Sequence, residues 1–578
     1  MTKDFQERSI DRHFANFICK QSADEVSDLF RLVVSLASNS VAQGNICLNL
    51  ADIAGQTIRL HGKEFIVPPL DLLQELVKNA SVVTVPGGPH RPLVLDAAGR
   101  FYLYRYWREE HHLAMTLLQK AAVVTETLHE ERLSNALERL FPDSADHRQR
   151  EAAMVALQRR LCVISGGPGT GKTSTVVRIL ALFLEQEGIG KQRIALAAPT
   201  GKAAARLKKS VNNIRQTLNV SEEIKMAIPD DVVTIQRLLG TISGSTRFRH
   251  SALNPLLYDI VIIDEASMVA LPLMSALVEA LKPTACLILL GDKDQLASVE
   301  AGAVLGDLCS AGKENPASPL SASLVVLEKN YRFQSGSGID EISRAVNAGC
   351  EREALELLKS NLTGSLVWKT LPLPGELRNA LERKVVEGYQ DYIDAASPEE
   401  ALERFDRFRL LCALRDGPYG VSGLNRIVEQ ILERKSLITT SSRFYRCRPV
   451  LVTVNDYSIG LYNGDTGIVF PDADKGGEMR VFFSTPDGGV RSISPERLPV
   501  HETAFAMTIH KSQGSEFDRV LIIFPPLSGE LLTRELVYTG ITRSKKSVEI
   551  WALEDVFCNA VQKKTERNSG LRDALRWK

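Results

Sequence analysis

Gly166, Gly167, Pro168, Gly169, Thr170, Gly171, Lys172 and Thr173, followed by Ser174, set four glycines ahead of a lysine and a hydroxyl. That pattern is a cradle for nucleotide phosphates. The glycines let successive backbone N–H groups close around a β-phosphate at the positive end of a helix. Lys172 then reaches the β- and γ-oxygens, and the Thr173 hydroxyl is placed to ligate Mg²⁺. Such a loop needs a strand before it and a helix after it. Leu161 to Ser165 predicts the short buried strand, and Thr173 to Glu185 predicts the helix, with Val176, Val177, Leu180 and Phe183 at core spacing.

Downstream, the apolar run Ile260 to Ile263 ends in Asp264 and Glu265. A carboxylate at the C-terminal end of such a strand lies beside Thr173, so Asp264 is expected to hold Mg²⁺ directly or through water. Glu265 is expected to orient or deprotonate the attacking water, which marks a hydrolase rather than a kinase that must exclude water. A third apolar run ends in Gly291-Asp292-Lys293-Asp294-Gln295, where the Gln295 amide can touch both the γ-phosphate and the water. Charge on the transferring phosphoryl group also needs cations from the side that Lys172 cannot reach. Arg332 and Arg543 are the candidates.

The whole chain, 578 residues with 44% hydrophobic content, has room for about three to four domains. Nine cysteines stand singly, without C-x-x-C pairs or histidines at metal-ligand spacing, which predicts unpaired thiols in a reducing compartment. The first residues are polar and mixed in charge, so no secretory signal is expected, and no apolar run reaches the roughly 18 residues of a membrane span. The expected location is the cytoplasm. Lys and Arg number 70 against 70 Asp and Glu, so any nucleic-acid contact must be local; Lys202-Arg206-Lys208-Lys209, Arg443-Arg446-Arg448 and Arg543-Lys545-Lys546 are the basic patches.

Residues 1–115 carry mixed helical and strand patterns, end near the aromatic cluster Phe101 to Trp107, and read as a docking or scaffold domain. Between 116 and 330 the runs Leu161 to Ser165, Ile194 to Ala198, Ile260 to Ile263 and Cys286 to Leu290 alternate with helical segments, which predicts a parallel sheet covered on both faces. Residues 331–578 read as a second α/β unit. Within it 351–405 look helical with breaks at Pro372, Pro374 and Pro398, about 440–500 look β-rich with turns at Tyr462 to Asp465 and Pro486 to Gly489, and Val520 to Phe524 reads as a strand.

Taken in order, these segments resemble the motifs of superfamily 1 helicases: the phosphate loop, Ala198 to Ala204, Val233 to Leu239, Asp264 to Ser267, Gly291 to Leu296, Asn330 to Arg332, Thr508 to Phe517 and Tyr538 to Arg543. The wording of Ile164 to Thr173 and of Thr508 to Phe517 is similar to that of a motor chain of exodeoxyribonuclease V, the RecBCD helicase and nuclease. The resemblance covers about residues 100 to 555; the first hundred match only in length and general character.

What the resemblance implies is a fold of two RecA-like lobes with parallel sheets, a small SH3-like β-rich insertion, and an N-terminal docking domain that is mixed but mainly helical. It implies ATP and Mg²⁺ as cofactors, Gln149 at the adenine edge, and Gly514 and Glu516 among the nucleotide contacts. It implies that Thr200, Lys202, Thr234, His510 and Lys511 line a single-strand track, with Gln236 where the family usually has histidine. It implies 5′→3′ movement on DNA from duplex ends, in double-strand break repair by recombination and in degradation of linear DNA. Long-form relatives that act alone carry a larger N-terminal region than the 115 residues here, so the resemblance favours a subunit that docks on RecC beside RecB. No nuclease carboxylate cluster is apparent. Two other readings share the motifs: a stand-alone DNA or RNA helicase, and an assembly subunit in which ATP sets docking without moving a strand.

Overall fold

The computed structural model describes every residue except 1, 24–25, 125–129, 143–146, 188–191, 333–337, 361–363, 457, 486–488 and 577–578. Its largest sheet is built around the four runs that the sequence singles out, with Val232–Thr234 and Leu324–Leu327 added at its edges. Six parallel strands lie in the order Val232–Thr234, Ile194–Ala198, Ile260–Ile263, Cys286–Gly291, Leu161–Gly166, Leu324–Leu327. The central four are almost wholly buried, as strands covered on both faces by helices must be. Cys286–Gly291 sits between the phosphate-loop strand and the Asp264 strand, so three strands open their C-terminal ends into one crevice. The helix after the loop runs Lys172–Glu187.

The second lobe carries five parallel strands in the order Leu366–Thr370, Ser544–Ala552, Phe517–Ile523, Phe408–Cys412, Ala506–Thr508. A five-stranded antiparallel sheet is inserted in it, ordered Val490–Ile493, Glu478–Ser484, Thr466–Asp472, Pro449–Val452, His501–Thr503. The expected turn at Tyr462 forms, with the Asp465 N–H donating to the Tyr462 carbonyl at 3.0 Å and Gly464 at φ +96. The turn expected at Pro486 to Gly489 lies mostly outside the described residues.

Three expectations change. Residues 351–405 are not wholly helical: Leu366–Thr370 pairs with Ser544–Ala552 as an edge strand. Pro398 does not break a helix but begins one, Pro398–Phe405, with the Ser397 hydroxyl accepting from the Glu400 N–H. The third change concerns the division of the chain. A boundary at 115 falls inside the helix Tyr104–Ala122, whose Leu113, Ala114, Leu117 and Ala121 pack in the core of the first lobe. At the other end, Leu571 and Leu575 join that same core, although sequence position places them with the second lobe. Ahead of residue 104 the N-terminal part holds helices Ser9–Gln21, Asp28–Ala42 and Leu70–Lys78 around short strands, and Phe101 and Tyr102 of the aromatic cluster are fully buried.

The C-terminal segment is fastened at Glu110. This buried carboxyl accepts from the Ser569 hydroxyl and the Gly570 N–H at 2.9 Å each, and from the Tyr102 hydroxyl at 3.2 Å. Burial outweighs these donors and pushes its pKa up to about 7. Because the folded pKa lies above the unfolded one, the folded chain holds the extra proton between the two values. Stability therefore falls as pH rises from about 4.5 to about 7, by up to about 3 kcal/mol. Glu110→Gln is expected to flatten that slope, which thermal melts across this window measure.

Candidate functional site

The phosphate loop is shaped by what surrounds its glycines. Gly169 and Gly171 adopt φ +86 and +81, and a Cβ on either would lie 2.5 Å from Arg332 Cβ or 2.8 Å from Gln149 Nε2. Only glycine fits there. The Lys172 ammonium donates to the Gly166 and Gly167 carbonyls at 2.5 and 3.0 Å, and the Thr170 hydroxyl donates to Gly167 at 2.9 Å. These bonds close the loop on itself at the helix N-terminus, leaving its amide face to a cavity of about 370 Å³.

That cavity brings together Pro168, Gly169, Gly171, Lys172, Thr173 and Ser174 with Asp264, Glu265 and Gln295, with Arg332, whose segment is bonded to the phosphate loop through the Tyr331 N–H and the Gly169 carbonyl at 2.8 Å, and, across the gap between lobes, with Glu516 and Arg543. Asp264 is half-buried beside Glu265, and burial followed by the neighbouring carboxylate pushes its pKa up. Glu265 takes a left-handed backbone conformation at φ +50, which a non-glycine residue keeps only where its surroundings impose it, and its N–H donates to Asp264 Oδ1 at 2.9 Å. Gln149 lies in an adjoining cavity of about 300 Å³ with Phe141, Arg178 and Tyr331, where Arg178 lies 5.5 Å from the Phe141 ring centroid and donates to Gln149 Oε1. The two cavities share Gly171, Ser174 and Tyr331, a shape that suits phosphates in one and a base in the other.

The residues fit a Mg²⁺ nucleotide. Among the described residues no group of three or more His, Cys, Asp or Glu could hold a metal alone, so an ion here would rest on Thr173, Asp264 and phosphate oxygens. Among the described residues Arg332 Nη1 is buried without a partner, a donor in want of an anion. Its Nη2 donates to Glu516 at 2.6 Å, and Arg206 pairs with the same carboxylate oxygen. Although burial raises the Glu516 carboxyl, Arg206, Arg332 and Arg543 together hold it down at about 2. Arg543 is itself 2% exposed and donates to the Thr539 and Ser515 carbonyls. Gly514 stands behind the cavity, its carbonyl facing Arg206 at 3.4 Å.

Several contributors were not singled out from the sequence. Asp292 accepts from Gln295 Nε2 and from the Tyr538 hydroxyl, both at 2.9 Å, and Tyr538 belongs to the second lobe. The Leu296 N–H donates to Thr539 Oγ1 at 3.0 Å, and Gln513 Nε2 donates to the Leu296 carbonyl at 2.9 Å. The segment bearing Gln295 is thus bonded to the opposite lobe at three points. Arg206 appeared only within a basic patch; its spacing of four from Lys202 on the helix Gly201–Thr217 was the available signal.

A second cavity of about 410 Å³ between the first lobe and the inserted sheet is lined by Thr200, Thr234 and Gln236 together with Tyr462, Asn463 and Val299. Gly201 permits this approach, since a Cβ there would lie 2.6 Å from the Tyr462 ring. Lys202, His510 and Lys511 do not line it. Burial lowers the pKa of Lys202, which faces Asp406 and Asp465, and Lys511 Nζ pairs with Glu502 at 2.7 Å. His510 is half-buried, its pKa lowered first by burial and then by Arg567.

A family profile of the AAA domain matches residues 149–301, one of the UvrD-like helicase C-terminal domain matches 503–550, and one of the RecBCD enzyme subunit RecD N-terminal domain matches 6–102. The first hundred residues therefore resemble the family in sequence and not merely in length. The chain is similar to RecBCD enzyme subunit RecD of Mycobacterium tuberculosis, 39% identical over 98% of this chain and 94% of that one. It is also similar to RecBCD enzyme subunit RecD of Haemophilus influenzae, 32% identical over 98% and 97%. The ATP-dependent RecD2 DNA helicase of Deinococcus radiodurans is 29% identical over 72% of this chain, which spans 50% of that relative.

Proposed function

Because the chain belongs to the family of RecBCD enzyme subunit RecD, we propose that it is the ATP-driven 5′→3′ motor of a RecBCD-type helicase and nuclease, docked to RecB and RecC. Its substrate is single-stranded DNA entered from a duplex end, in break repair by recombination and degradation of linear DNA. The cytoplasm suits its nine unpaired cysteines.

The observation that carries this reading is Glu516. Arg206 from the first lobe and Arg332 and Arg543 from around the cleft converge on one carboxylate, beside the phosphate loop. A carboxylate that gathers three guanidinium groups occupies a place suited to a more highly charged phosphate. When the γ-phosphoryl group enters, Arg332 and Arg543 are the donors able to turn toward it, and they stabilise its charge from the side opposite Lys172. Glu265 orients the water and takes its proton, and the Gln295 amide bridges water and phosphate. Thr173 and Asp264 are the residues that would hold Mg²⁺, which would supply positive charge to the phosphate oxygens. Since Gln295 shares Asp292 with Tyr538, a change at the phosphate reaches the second lobe through two hydrogen bonds. Loss of the phosphate reverses it, and the lobes open and close once per turnover.

Strand contact falls to the cavity beneath the inserted sheet, where Thr200, Thr234 and Gln236 offer hydrogen-bonding groups and Tyr462 an aromatic face. The test compares ATP turnover of the chain with single-stranded DNA, with RNA of the same sequence and with no polymer. Strong stimulation by DNA alone is expected. Turnover indifferent to both polymers would sink the motor reading in favour of an assembly subunit.

A further inference from the structure

The segment after Gln295 is held from behind by a residue outside all eight helicase-like segments. Past the helix Glu554–Gln562 the chain leaves the second lobe and crosses to the first. There Arg567 Nη1 donates to the carbonyls of Glu300 and Gly302 at 2.9 and 2.7 Å, and Nη2 donates to that of Ser298 at 2.5 Å. The Ser298 hydroxyl donates to the same Glu300 and Gly302 carbonyls at 2.9 and 3.0 Å.

The N-terminal domain closes the third side of this joint. The Gly302 N–H donates to the Gly44 carbonyl at 2.9 Å, the Ile46 N–H to the Asn568 carbonyl at 2.8 Å, and the Asn568 N–H to Asn45 Oδ1 at 2.9 Å. Gly44 has φ +92, and a Cβ there would lie 3.0 Å from Arg567 Cζ. Three parts of the chain therefore meet around one guanidinium.

The front of the same loop faces the strand cavity. Val299 is 78% exposed and lines that cavity with Thr200 and Tyr462. Upstream, the loop is tied to the second lobe through Leu296, Thr539 and Gln513, and Gln295 just before it lines the nucleotide cavity. A segment fixed at both ends transmits displacement; one free at the rear absorbs it.

We infer that Arg567 is a positioning residue that anchors Ser298 to Gly302 from the C-terminal segment, so that the exposed face of this loop meets the nucleic-acid strand in step with the second lobe. The inference rests on the reading of the cavity beneath the inserted sheet as the strand track.

The test uses the full chain, with ATP turnover measured with and without single-stranded DNA. For Arg567→Ala the DNA-free rate and the KM for ATP stay within about two-fold of the parent, while kcat at saturating DNA falls about ten-fold. Arg567→Lys, which keeps a donor to the carbonyls, recovers part of the loss. Full stimulation in Arg567→Ala, or an equal fall in both rates, overturns the inference. Should Arg567→Ala not fold, Ser298→Ala removes the hydroxyl that bonds the same carbonyls and is expected to show the same split; full stimulation there is equally fatal. A parent chain that DNA does not stimulate overturns the strand-track reading itself, a result distinct from either.

Discussion

Lys172→Gln is expected to lower ATP turnover by at least about a thousand-fold, the loss that follows when a cation on the transferring phosphoryl group is removed. The side chain is half-buried at the mouth of the phosphate loop and bonded to the Gly166 and Gly167 carbonyls. Glutamine can keep one of those bonds but carries no charge to the β- and γ-oxygens. The fold should survive, because the strand Leu161–Gly166 and the helix Lys172–Glu187 bury their apolar residues without Lys172. A melting midpoint within about 3 °C of the parent, together with lost phosphate release, is the expected pair of results. Near-normal DNA-stimulated turnover would remove this loop from the chemistry.

Glu265→Gln should separate chemistry from binding. The change keeps the shape of the side chain and removes its basicity, so turnover falls by about 10²- to 10⁴-fold, the contribution of a placed general base. Affinity for nucleotide and for single-stranded DNA should stay within about three-fold of the parent, since neither depends on proton abstraction. Titration of labelled DNA with a slowly hydrolysed ATP analogue measures the second half. An assembly switch that only binds ATP has no use for this carboxylate, so undiminished turnover in the variant would favour that rival.

The parts of the site that are local in sequence were legible before the structure. Gly166 to Ser174 prescribe a strand, a turn and a helix by their own stereochemistry, and Asp264 and Glu265 follow an apolar run that can only be a buried strand. Gln295, Arg332 and Arg543 came within reach because each is the charged or amide member of a short patterned segment, and all three line the same cavity. What the sequence hid is what depends on distant partners. Asp292 and Tyr538 are 246 residues apart, and nothing near either names the other. Lys202 and Lys511 are expected on the strand track, yet Lys202 faces Asp406 and Asp465 and Lys511 pairs with Glu502, partners that adjacent sequence does not reveal.

The C-terminal segment is the plainest case. Lys563 to Asn568 is polar throughout, with no apolar residue to mark it as packed, but Arg567 bonds to carbonyls more than 260 residues earlier and Asn568 to Asn45. Its role comes from tertiary closure, which local periodicity does not encode. The boundary at 115 failed for a related reason. The helix Tyr104–Ala122 is continuous through it, and its apolar face is buried by a lobe whose strands begin at Leu161.

The central claim is that phosphate chemistry in the cleft moves this chain along one strand of DNA. The most direct measurement is displacement of streptavidin from biotinylated oligonucleotides, with the biotin at either end and ATP present. The account predicts release from the 3′ end, none from the 5′ end, and none from either when Glu265→Gln replaces the parent. ATP turnover stimulated by DNA without release from either end, or release from the 5′ end alone, would contradict it.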